Sequence, residues 1–90
     1  MTLLEKTIVE QAHHELQNLR RALLMADGAD RISAISSSFW MLNGLTVLAT
    51  LENSGMSEDA VEELRAIDRE MGQATAAGSL VGLIKKDTLN

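Results

Sequence analysis

Two adjacent histidines, His13 and His14 in the run Glu10-Gln11-Ala12-His13-His14-Glu15-Leu16, are the residues whose type most readily suggests chemistry. On a helix His14 follows Glu10 by one turn, so a carboxylate could hold its imidazole and raise its basicity. Glu10 and His14 also have the i, i+4 spacing of two metal ligands, but His13 and His14 point about 100° apart and cannot share one ion from one side. Two ligands without a third make no zinc or iron site, so neither a metal nor any other cofactor is expected. Ser36-Ser37-Ser38 could supply a nucleophile. No base is placed beside these serines by any motif, and hydroxyls bonded back to the preceding turn are the simpler reading. Walker, dinucleotide and calcium-loop patterns are absent from the sequence.

The phrase His13-His14-Glu15-Leu16 at the start of a helical stretch resembles the phospho-accepting His-Glu-Leu box of histidine kinase dimerisation helices. The resemblance covers a handful of residues. It implies phosphotransfer at His13 or His14 and a helical hairpin. The sequence departs from the box immediately afterwards: Gln17 and Asn18 stand where a basic residue and a proline usually follow, and the chain contains no proline. No ATP-binding region accompanies it, so the implied role is that of a stand-alone phosphotransfer protein.

The elements that would position these side chains read as helices. Ninety residues suffice for one domain. A 46% hydrophobic composition with 2% aromatics and no Tyr indicates an aliphatic helical interior, since strands draw on aromatic and β-branched residues. Without Cys there is neither a disulfide framework nor a thiolate zinc site. The opening MTLLEKTIVE lacks the layout of a secretory signal, so a cytoplasmic location is expected. The net charge of −5 is concentrated in residues 52–70, which carry seven acidic and two basic side chains. That balance disfavours a phosphate backbone, and no nucleic acid partner is expected.

Thr2 and Glu5 form a capping box for a first helix that should run to about Ala26. Val9, Ala12, Leu16, Leu19, Leu23 and Ala26 make its apolar stripe, widened by Leu4 and Ile8. Gly28 should stop it and Asp30 should cap the second helix, leaving a connection of two to four residues and an antiparallel hairpin. The second helix has twenty successive residues without formal charge, from Ile32 to Leu51. Ile32, Ile35, Phe39 and Leu42 fall on one side and Met41, Leu45 and Leu48 on another, so this helix needs cover on more than one face. Ala34, Ser37, Met41 and Gly44 form a small-residue track along which a second backbone could approach. After Asn53-Ser54-Gly55, a staple of Met56 with Val61 and the cap Ser57 open a third helix. Its stripe is Ala60, Leu64, Ile67, Met71, Ala74 and Gly78.

The expected fold is therefore all-α: a single domain over residues 1–79, an antiparallel hairpin plus a third helix, dimerising into a larger bundle. Residues 80–90 form a C-terminal tail, a helical extension or a docking segment, in which Leu80, Val81, Leu83 and Ile84 are apolar. The expected interface comprises Ile35, Phe39, Trp40, Met41, Gly44, Leu45 and Leu48 with those four tail residues. A bilayer span is disfavoured, because Ser, Thr, Asn43 and Gly44 fill eight of the twenty uncharged positions and the strongly apolar part is thirteen residues long. Without a catalytic constellation, the expected role is a non-enzymatic interaction module, a regulator, adaptor or chaperone. It would form a homodimer and engage a protein partner through hydrophobic faces and the acidic third helix.

Overall fold

The computed structural model describes residues 1–51 and 55–89, with side-chain surroundings for residues 1–51 and 55–76. Three helices run up, down and up: α1 (Leu3–Leu23), α2 (Ala29–Thr46) continued by a 3₁₀ turn (Val47–Thr50), and α3 (Glu58–Leu89). The protein is all-α, and its described residues contain no strand. The long dimension of 50 Å is set by α3, whose 32 residues span about 48 Å at 1.5 Å per residue.

α1 starts as its capping box dictates. The Thr2 amide donates to Glu5 Oε1 at 2.8 Å, and the Glu5 amide donates to Thr2 Oγ1 at 3.1 Å. Two amides that the helix itself leaves without acceptors are thereby satisfied. Val9, Ala12, Leu16 and Leu19 are buried as the stripe requires, joined by Ala22. Leu4 departs from it: at about 100° per residue it lies well to one side of the stripe, whose centre at this turn is the buried Glu5, and it is exposed.

α1 ends at Leu23, three residues short of Ala26, which lies outside the helix and is exposed. The Leu24 and Met25 amides close the last turn through short-range bonds to Arg21 and Ala22 carbonyls, and Arg31 Nη2 reaches back to the Leu23 carbonyl at 3.4 Å. The connection is thus five residues, Leu24 to Gly28, longer than expected. Asp30 is not the cap of α2. Gly28 occupies the cap position without a side-chain bond, and Asp30 sits in the first turn, where its charge favours the helix dipole. Gly28 adopts φ 150° with ψ −179°, a conformation open essentially to glycine alone. A Cβ there would touch nothing within 4 Å, so Gly28→Ala should cost about 1–3 kcal/mol through backbone strain. A melting temperature unchanged by Gly28→Ala would show that the turn readily takes another shape.

In α2 the inward side consists of Ser38, Leu42 and Thr46, followed by Ala49 in the 3₁₀ turn. Thr46 Oγ1 lies 3.4 Å from both the Asn43 carbonyl and Asp68 Oδ1, linking α2 to α3. α2 gives way to the 3₁₀ turn at Val47, and Leu51 is already extended, so the helix ends before the expected breaker. Asn53 and Ser54 lie outside the described residues; Gly55 has the positive φ (79°) expected of a turn.

α3 opens on Ser57, whose Oγ accepts from the Ala60 amide at 3.4 Å. Met56 and Val61, the residues of the expected staple, are each partly buried against the core. Ala60, Leu64, Ile67 and Met71 are buried, and Ala74 is half-buried. Leu16, Leu19, Leu42, Leu64 and Ile67 are the largest fully buried side chains and constitute the centre of the bundle. Beyond Gly78, the expected end of the stripe, α3 continues as helix through residue 80 to Leu89.

Candidate functional site

α1 and α3 run parallel and are joined along one edge. His13 Nε2 lies 3.8 Å from Glu63 Oε2, and Arg20 Nη2 lies 3.2 Å from Glu70 Oε2. All four side chains are well solvated, so each pair contributes little to stability. Their value is in recording the register between the two helices. The imidazole engaged is therefore that of His13, and its partner is on another helix. The Glu10–His14 pair considered from spacing does not form; the His14 side chain is exposed and makes no hydrogen bond or ion pair among the described residues. Also among the described residues, no three His, Asp or Glu side chains converge as metal ligands.

Of the serine run, Ser36 and Ser37 are exposed and Ser38 is buried on the inward side of α2. No general base accompanies them on α2, whose charged residues are confined to its first turn.

A second junction, not foreseen from the sequence, is built on Glu5. Its Oε2 accepts the Ser57 amide at 2.5 Å while Oε1 holds the Thr2 amide. One buried carboxylate thus serves the starts of both α1 and α3. The Thr2 backbone bond, then the Ser57 backbone bond, lowers the Glu5 pKa from 4.5 to about 2. The capping box was visible as Thr2 and Glu5, but no local pattern connects Glu5 to a residue fifty-two positions away.

The outward side of α2 leaves apolar side chains uncovered. Trp40 is 68% exposed, Met41 55%, Ile32 66% and Leu51 52%. Phe39 is half-buried and meets Trp40 edge to face at 5.5 Å. Ile35, Phe39, Leu45 and Leu48 of the expected interface are half-buried against the core, so they belong mainly to the bundle interior. Ile32, grouped by spacing with the core residues Ile35 and Leu42, is exposed instead. Gly44 is exposed, and a Cβ there would meet nothing within 4 Å. Packing within this chain therefore does not call for glycine at that position. At the lower end, Leu4, Ile8, Leu48 and Met56 line a shallow groove of ≈ 220 Å³. Side chains of Leu80, Val81, Leu83 and Ile84 lie outside the described set, although their backbone is helical.

Ala29–Thr50 is the one described stretch long and apolar enough to cross a membrane, by length and composition. Half of α2 packs against its own chain, and the side that carries Ser33, Ser37, Trp40 and Gly44 is exposed. Comparisons with protein-family models, curated proteins and solved structures give no match to this chain.

Proposed function

We propose that this chain is a non-enzymatic protein-interaction module, a small regulator or adaptor that self-associates and binds protein through the outward side of α2. The observation that carries the reading is the exposure of Trp40 and Met41 on a helix with no charge between Ile32 and Leu51. Exposed apolar surface of this extent on a soluble chain usually marks an interaction site. Aromatic and Met side chains are also the residues enriched at interface centres. The outer side of α3, with Glu58, Asp59, Glu62, Glu63 and Glu70 exposed, adds a negative field suited to steering a basic protein and unsuited to nucleic acid. An interior of cytoplasmic type agrees with the lack of Cys.

Trp40 is the single tryptophan and reports on the face directly. Raising the concentration of the full chain should shift its emission to shorter wavelength as sedimentation moves from monomer to dimer. Constant emission from a species that stays monomeric would refute self-association through this face. Gly44→Leu should perturb the same equilibrium, since a bulky side chain would project from the small-residue track.

A second reading is phosphotransfer at a histidine, and the exposure of both His13 and His14 favours it. Incubation with a small phosphodonor should then give an acid-labile label that His14→Ala or His13→Ala removes. No label on the wild-type chain would end that reading.

A further inference from the structure

The bundle is closed by different means along its length. At its centre the interior is leucine and isoleucine: Leu16, Leu19, Leu42, Leu64 and Ile67 are fully buried. At the end where α1 and α3 begin, the buried side chains among the described residues are Glu5, Val9, Ala49 and Ala60, and a shallow groove lined by Ile8, Leu48 and Met56 runs beside them. An alanine methyl gains far less from burial than a leucine side chain. Apolar burial therefore holds this end weakly, and hydrogen bonding carries a larger share.

Glu5 supplies that share. Its Oε1 accepts the Thr2 amide at 2.8 Å and its Oε2 accepts the Ser57 amide at 2.5 Å. Thr2 is the cap of α1, and Ser57 stands immediately before α3, where its Oγ accepts the Ala60 amide. The His13–Glu63 and Arg20–Glu70 pairs hold the two helices side by side further along, so the two starts lie level. Helix ends ordinarily fray independently, each limited by its own cap. Here, unwinding the first turn of α1 carries Glu5 away and takes the acceptor from the Ser57 amide. Loosening the start of α3 takes from Glu5 one of its two donors. A part-buried amide or carboxylate left without its partner loses that bond and regains little from water, so each start is a condition of the other.

We infer that the starts of α1 and α3, joined across fifty-two positions of sequence, open and close as one unit with Glu5 as the clasp. Such coupling is reciprocal. Weakening the cap of either helix must loosen the first turn of the other by the same factor.

The test is amide hydrogen exchange of the full chain, resolved by residue with NMR. The Lys6 amide donates to the Thr2 carbonyl and the Val61 amide to the Ser57 carbonyl, each at 3.0 Å, so these are matching first-turn bonds of α1 and α3. The Ile32 amide, bonded to the Gly28 carbonyl at 3.2 Å, is the matching bond of α2 at the opposite end and serves as the reference. Thr2→Ala should accelerate exchange at Lys6 and Val61 alike, by roughly fivefold, the factor for losing one helix cap, and leave Ile32 unchanged. Ser57→Ala should give the same pattern from the other helix. In a Glu5→Ala background, Thr2→Ala should still accelerate Lys6 and no longer reach Val61, as a double-mutant cycle requires of a clasp. Acceleration at Lys6 with Val61 indifferent to Thr2→Ala in the otherwise native chain would overturn the inference, whether or not Glu5→Ala folds. Equal acceleration at Ile32 would overturn it too, since the loss would then belong to the whole fold.

Discussion

Leu64→Ala is expected to lower stability by about 2–5 kcal/mol, the range for removing a fully buried leucine with incomplete collapse of the cavity. Leu64 is fully buried in the cluster that includes Leu16, Leu19, Leu42 and Ile67, where all three helices meet. At about 0.05–0.15 kcal/mol per residue a chain of this size holds only about 5–13 kcal/mol in total. The substitution should therefore depress the melting temperature by roughly 10 °C or more. Leu3→Ala provides the contrast, because Leu3 is 82% exposed and the change should stay within about 0.5 kcal/mol. Both are best measured at a concentration that holds the monomer, since dimerisation would add a concentration-dependent term. Equal effects of the two substitutions would mean that the core has been misplaced.

Acid should act on the fold through Glu5. Its carboxyl is held at about 2 in the folded chain against 4.5 for the free group, chiefly by the Thr2 amide and then by the Ser57 amide. Between those values the unfolded chain binds the proton more readily, so stability rises with pH across the window. Glu5's contribution is fully present above 4.5 and is lost as pH falls through about 2. Glu5→Gln removes the charge and keeps one carbonyl acceptor. The stability difference between wild type and Glu5→Gln should be largest near neutral pH and shrink as pH drops from 4.5 towards 2. Thr2→Ala breaks the α1 cap alone and should cost about 1 kcal/mol. Its effect should be the smaller, since it leaves the bond from Ser57 intact. A wild-type-to-Gln difference independent of pH would show that the carboxylate does not join the two helix starts.

These two expectations also mark where sequence reading succeeded and where it stopped. Leu64 was legible because α3 has a narrow stripe: Ala60, Leu64, Ile67 and Met71 recur at three and four residues, and charged neighbours exclude every other face. α1 was legible in the same way along Val9 to Leu19, and misleading only at its ends. There Leu4 sits to one side of the buried Glu5, and Ala26 follows the end of the helix at Leu23, so both are exposed. α2 was not legible. With apolar residues around its circumference, period alone does not select an inward side, and the candidate interface drawn from it mixed core with surface. Leu45 and Leu48 turned partly inward, whereas Trp40 and Met41 remained outside. Neither histidine's surroundings could be read either, because Glu63 lies fifty residues beyond His13.

What the amino-acid order determined unaided is local: three helices, the capping box of Thr2 and Glu5, the cap at Ser57, and the buried stripes of α1 and α3. Each follows from hydrogen bonds and side-chain spacing within a few residues, where the 3.6-residue period acts directly. Tertiary structure alone decided which side of α2 enters the core, that Glu5 serves both α1 and α3, and that α3 projects past its neighbours. Those outcomes depend on distances between residues twenty to fifty positions apart. Such distances are set only when α1 and α3 have packed side by side and left α2 one side to bury.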